Sequence, residues 1–361
     1  MDFEQYIIQG EPGRKERAEN WQVAIGLQAV DRLKPSKYLL QTAQEHIENR
    51  LSIDEVDARI ESYYKTEQGR QEESGTSEAD IVSARITRLL SERAFSFSPS
   101  MLASIHRRLF ENVLLRAGRY RQANISKKEW VLDGASVLYS SCDMIAATLD
   151  YDFEQERKFS YDNLRNTEVV KHVCSFVAGI WQIHPFSEGN TRTTAVFTIK
   201  YLNSLGFKVD NNPFKEHSWY FRNALVRANY QDVPGGVKRT TEFLELFFRN
   251  ILMGEHNELR NRYTHIRWVG ERPHVQDDGS LKSSQETVKS SQKSSQKIVE
   301  IMASCPFVTT ETIATTLGIS RRAVAKQVAK LKEEGRIIRK GPDKGGHWEI
   351  VKSDTKKIKD D

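Results

Sequence analysis

Two stretches of this sequence, VVKHVCSFVAGIWQIH (169–184) and TTAVFTIKYLNSLGF (193–207), are apolar around most of a helical circumference. A helix of that kind has to be buried on most sides, so the pair dictates a helical core that other elements must surround. The second helix is expected to stop near Gly206, a residue suited to a helix C-terminus. Between the two lies a short polar string, HPFSEGNTRT (184–193), held where a buried helix ends and another begins.

The rest of the chain divides around this pair. Residues 1–70 read as helical: WQVAIGLQAV and YLLQTAQEHIENRL repeat apolar residues at helical spacing, and Ser52 with Glu55 makes a capping-box pattern. Polar residues 67–79 read as a loop. Residues 80–255 are mainly helical except KKEWVLDGASVLYSS (127–141), where Asp133-Gly134 between β-prone residues signals a hairpin. Residues 256–296 read as a helical extension and a polar linker in which KSSQ recurs from Lys282, Lys289 and Lys293. Residues 297–352 form a separate compact segment.

Composition excludes some classes. At 361 residues, 38% hydrophobic and 29% charged, the chain has the makeup of a globular protein of two or three domains, not a disordered one. No apolar run is long enough to cross a bilayer. The opening MDFEQYIIQG lacks the basic and apolar regions of a secretory signal, and the three cysteines are scattered, so a cytoplasmic location with reduced thiols is expected. Residues 297–352 carry 11 Lys/Arg against 6 Asp/Glu, which accounts for the whole net charge of +5. Attraction to nucleic acid should therefore come from that end.

The string at 184–193 has chemical content of its own. Pro185 disfavours helix at His184, so the imidazole is presented at a helix end. Gly189 and Asn190 permit a tight loop, and the next helix starts with free N–H groups that suit phosphate. Arg192 adds a fork for phosphate oxygens, Glu188 a hard oxygen ligand for Mg²⁺, and His184 a base near neutrality. Together they describe a phosphoryl- or nucleotidyl-transfer site.

HPFSEGNTR also resembles the Fic family signature, His-x-Phe-x-Asp/Glu-Gly-Asn followed by arginines, and the resemblance extends over about residues 80–255. It implies a mainly α fold: a Fic helical core with a β-hairpin flap, here followed by a C-terminal winged-helix domain. It implies transfer of AMP from ATP to Ser, Thr or Tyr hydroxyls of a target protein, and of the chain itself. Carried over by position, His184 is the general base and Phe186 anchors the loop. Glu188 holds Mg²⁺. Ser187, Gly189, Asn190 and Thr191 line the phosphate nest, and Arg192 takes the β-phosphate. Asn229 lies at the nucleoside edge with Phe221 and Arg222 nearby. Trp130, Val131, Leu132, Val137 and Leu138 belong to the flap, which pairs with a target segment as an added strand. Thr191 stands where Gly is commonest, and Ala195 replaces a second arginine that grips the γ-phosphate. That departure leaves open another donor such as UTP, removal of AMP, or a core that only senses nucleotide for a DNA-binding regulator.

Residues 21–64 look like the helical antitoxin element that covers some Fic sites. The inhibitory Ser/Thr-x-x-x-Glu-Gly/Asn places fall on Leu27, Asp31 and Arg32, a degraded motif whose partner arginine is Ala195. A segment that packs on the catalytic domain and inhibits weakly is therefore expected, with a purely structural helical cap as the alternative. The segment 297–352 resembles a winged helix-turn-helix: Gly318 makes the turn, Ser320 caps a recognition helix with Val324, Val328 and Leu331 inward, and IIRKG and HWEIV form the wing. Arg321, Arg322 and Lys326 are its expected DNA contacts, with protein docking as the alternative use.

Overall fold

The computed structural model describes residues 3–207 and 209–275, and of the C-terminal part residues 298–299, 301–303, 308–317, 324, 328–329, 331–332, 335–340 and 347–350. Two units are distinguished, Met1–Val275 and Gln276–Asp361.

In the first unit the two apolar stretches become α9 (Asn166–Ile183) and α10 (Asn190–Ser204). Every residue of α10 from Asn190 to Leu202 is buried, which is why this helix shows so little amphipathic pattern. Around α9 pack α8 (Ile145–Lys158), α10, α12 (Ser218–Ala228) and α13 (Glu242–Met253). The floor is aromatic: Phe97, Phe153, Phe176, Phe197 and Tyr201 contact one another edge-on or tilted. Burying a side chain of that size stabilises by roughly 1.5–3 kcal/mol.

The N-terminal helices build onto this core and are continuous with it. They are α1 (Glu4–Gln9), α2 (Pro12–Gly26), a 3₁₀ turn (Leu27–Asp31), α3 (Lys37–Ile47), α4 (Ile53–Tyr63) and α5 (Glu67–Arg70). Ser52 and Glu55 form the expected capping box of α4. The stretch read as a loop at 67–79 contains α5 and the start of α6 (Thr76–Ser91), because Thr66 caps a turn there through the Gly69 N–H. One face of α2 joins the main core through Val23 and Ala24, and Ala18 and Trp21 join a second cluster with Leu39, Ile47 and Val56. Gly26 lets α2 run against α11 (Asn212–Glu216): a Cβ there would sit 2.2 Å from the Lys215 carbonyl oxygen. Ser218 Oγ donates to the Gly26 carbonyl at 2.6 Å.

The hairpin expectation needs correction. Asp133 (φ 55°) and Gly134 (φ 89°) do make a left-handed two-residue turn, closed by Ala135 N–H to the Leu132 carbonyl at 3.1 Å. Yet no strand forms beside it among the described residues: Trp130–Leu132 is a 3₁₀ turn, and Val131 and Leu132 are buried. Tertiary contacts decide this, since the Ile266 N–H donates to the Val131 carbonyl and Arg222 pulls Glu129 inward. The flap is a folded-back loop.

In the second unit a helix, Thr310–Leu317, precedes an antiparallel pair, β1 (Ile337–Lys340) and β2 (His347–Ile350), with Ile337 opposite Ile350. These are the two wing strands read from the sequence. Val324, Val328 and Leu331 are buried with Ile313 and Trp348. Arg321, Arg322 and Lys326, Gly318, Ser320, the wing tip at 342–346 and the KSSQ repeats lie outside the described residues.

Candidate active site

The polar string closes into a rigid loop between α9 and α10. His184 is the left-handed C-cap of α9 (φ 49°, ψ 59°), the conformation that turns the chain sharply before Pro185. Asn190 then ties the loop to itself: its Nδ2 donates to the Phe186 carbonyl at 2.7 Å and its Oδ1 accepts from the Phe186 N–H at 3.0 Å. The Asn190 side chain is thereby used on the loop, leaving backbone amides as its means of meeting an anion. Phe186 is buried and stacks on His106, centroids 3.7 Å apart. Gly189 sits at φ 72° so close to Phe110 that a Cβ would lie 2.5 Å from the ring. No side chain caps α10, so its first-turn N–H groups remain available. Ser187 and Glu188 are exposed at this lip.

His184 itself is 3% exposed, yet Nε2 has no partner. Nδ1 lies 3.2 Å from the Trp181 carbonyl, and Tyr139 stands tilted over the ring at 4.3 Å. Burial, then the charges of Lys127, Arg222 and Arg121, hold the imidazole well below its ordinary pKa and therefore neutral. The expectation of a base near neutrality is thereby corrected: burial and these cations oppose protonation of the ring, and an anion bound beside it would offset them.

Arg192 is 2% exposed and fully engaged. Nη1 donates to Gln28 Oε1 at 3.0 Å, Nη2 to Glu78 Oε1 at 2.6 Å, and Nε forms an ion pair with Asp31 Oδ2 at 2.8 Å without the alignment of a hydrogen bond. Phe110 covers its face at 4.7 Å. The premise that Asp31 lacks an arginine is thus corrected: with Ala195 buried in the core, Asp31 reaches the arginine one turn earlier on α10.

The remaining candidates separate. Thr191 Oγ1 accepts from Trp181 Nε1 at 3.0 Å. Arg222 forms a two-pronged pair with buried Glu129 at 2.6 and 2.9 Å and lies over Trp219, as does Arg32. Phe221 does not reach the site: it is fully buried against Phe214 and Phe247. Asn229 donates to the Ala178 and Leu225 carbonyls, joining α12 to α9. In the flap, Trp130 and Leu138 are exposed, whereas Val131, Leu132 and Val137 are core. Residues 124–126 and 136–141 flank a groove of about 380 Å³. A cleft of about 490 Å³ lies elsewhere, beside Gln22 and Lys215, and holds none of the motif residues.

Residues 96–202 match the model of the Fic/DOC family. They are a Fic domain. Residues 294–347 match a second family model, an HTH domain. Fic domains are generally transferases of nucleotide-derived groups. Among solved structures, the chain is similar to the N-terminal Fic domain of Bep8, a VirB-translocated effector of Bartonella sp. 1-1C, at 20% identity and a TM-score of 0.39 over 51% of this chain and 88% of that one. A Fic family protein of Desulfovibrio desulfuricans G20 aligns at 13% identity and a TM-score of 0.42 over 98% and 92%. The N-terminal Fic domain of an effector of Bartonella sp. AR 15-3 aligns at 18% identity and 0.37 over 55% and 82%. At such values the family models carry the assignment. No curated protein matches the chain. No helix among the described residues is long and apolar enough to cross a membrane.

Sequence reasoning missed Arg121, His106, Glu129 and Glu78, all of which shape this Fic site. Each is a single polar residue outside any spacing pattern, and its role comes from a partner far along the chain.

Proposed function

We propose that the Fic domain transfers AMP from ATP to a Ser, Thr or Tyr hydroxyl of a target protein. The observation that carries this reading is the buried, neutral, unpartnered Nε2 of His184 beside the uncapped start of α10. His184 takes the proton of the attacking hydroxyl as its oxygen bonds to the α-phosphorus. The bond from that phosphorus to the β-phosphate bridge breaks, and pyrophosphate leaves. The α10 amides and the cationic surround stabilise the charge that develops. The described residues contain no cluster of three metal-ligating side chains, so Glu188 could hold only a Mg²⁺ that takes its other ligands from phosphate and water. Such an ion would neutralise phosphate charge. For Arg192 to meet a β-phosphate, Asp31, Gln28 and Glu78 have to yield it.

The HTH domain gives this enzyme a means of binding DNA, in keeping with the basic surplus at 297–352. A specific observation favours a second donor class: Ala195 is fully buried and offers nothing to a γ-phosphate. The test is intact-mass analysis of the protein after incubation with Mg²⁺ and each nucleoside triphosphate, beside His184→Ala, with and without candidate targets. A nucleotide-sized gain in the wild type alone is expected with ATP. A gain with another triphosphate only would reassign the donor, and none at all would favour a nucleotide-sensing regulator.

A further inference from the structure

Arg121 precedes the flap and is 3% exposed, yet among the described residues no carboxylate pairs with it. Its guanidinium is spent on backbone carbonyls instead. Nε donates to His184 O at 2.9 Å, Nη1 to Ala123 O at 2.8 Å, and Nη2 to Ser140 O and, at 3.4 Å, to Ile183 O. Its own N–H donates to the Pro185 carbonyl at 2.9 Å. Two of these five carbonyls, those of Ile183 and His184, end α9, where a helix leaves its last acceptors unsatisfied, and the Pro185 carbonyl follows directly. The other two stand at the start and the end of the flap.

A buried guanidinium satisfied only by neutral carbonyls forgoes the charge pairing that usually offsets its desolvation. What the arrangement achieves is geometric. His184 occupies a left-handed conformation that costs a non-glycine residue about 1–2 kcal/mol, and it precedes a proline that narrows its choices further. The Arg121 fork grips the carbonyls before and at that residue, and the backbone N–H takes the one after it. The same planar group fixes both arms of the flap. Lysine could not replace it: three donors on one nitrogen cannot serve four carbonyls spread over three chain segments.

We propose that Arg121 is the positioning residue of this centre, holding flap and base in one register so that a hydroxyl delivered along the flap meets His184 Nε2. The proposal rests on the reading of His184 as the base. Misplacement of a base by about 1 Å costs roughly a hundredfold in rate, and the carbonyls that Arg121 holds are acceptors, which offer a triphosphate no hydrogen bond.

In the full-length protein, Arg121→Lys should therefore lower kcat for nucleotide transfer roughly a hundredfold while KM for ATP stays within about twofold. A folded variant with kcat within about threefold of wild type, or with a change in KM alone, overturns the proposal. Hydrogen–deuterium exchange supplies a readout that does not need activity. Peptides covering 136–142 and 183–190 should exchange faster together in Arg121→Lys, and unchanged exchange in both overturns the positioning role. If the wild type transfers no nucleotide, the catalytic reading fails on that result, and the exchange data still decide whether Arg121 couples flap to loop. If the variant does not fold, arginine-selective ¹⁵N labelling of the wild type decides. A rotationally restricted Arg121 guanidinium with distinct Nη signals is expected; a freely rotating one overturns the proposal.

Discussion

Asp31 and Arg192 meet across the seam between the N-terminal segment and α10, with Oδ2 2.8 Å from Nε. The arginine expected to hold a phosphate is occupied by a carboxylate from the segment that covers it, with Gln28 and Glu78 completing the set. Freeing Arg192 should therefore raise activity. Asp31→Ala is expected to increase the initial rate of AMP transfer about tenfold, the effect of about 1.4 kcal/mol, and Arg192→Ala to abolish it. Intact-mass kinetics read both. An unchanged rate in Asp31→Ala would return the segment to a purely structural role.

Gly26 allows α2 to lie against the backbone at Lys215. Gly26→Val puts atoms where the Lys215 carbonyl stands, and overpacking of this kind costs typically 1–3 kcal/mol. The denaturant midpoint should fall, and limited proteolysis should release residues 1–70 earlier than in the wild type. Equal midpoints would mean that α11 shifts without cost.

His46 accepts the Trp21 indole N–H at 3.0 Å inside the N-terminal cluster. Burial first, and then Arg17, lower its pKa from 6.5 to about 4. The unfolded chain thus binds a proton that the folded chain refuses between those values. The resulting stability is present above pH 6.5 and is lost as pH falls towards about 4. Tm should drop over that window, and His46→Gln should flatten the dependence.

DNA binding through the HTH domain should be strongly salt-dependent, because the basic surplus of the chain lies wholly within 297–352. Arg321→Ala with Arg322→Ala should weaken a fluorescence-anisotropy titration at low salt and reduce its salt slope by about two. No binding by the wild type at low salt would assign the domain to protein docking.

The sequence by itself determined whatever depends on near neighbours. Two all-round apolar helices could only be core, and α9 and α10 are. Ser52 with Glu55 capped α4, Asp133-Gly134 made its left-handed turn, and the wing strands fell where the resemblance to a winged helix put them. The loop at 184–193 was legible for the same reason, since proline, glycine and asparagine set its shape within a few bonds. Tertiary structure alone decided the partners of long side chains. Whether Arg192 faces solvent or Asp31, whether Arg121 grips four carbonyls, whether Phe221 points to the site or the core, and whether Val131 lies in a strand or a 3₁₀ turn all depend on which surfaces are brought together. Local propensity spans a turn or two of chain, whereas those contacts are selected by the burial of the whole core.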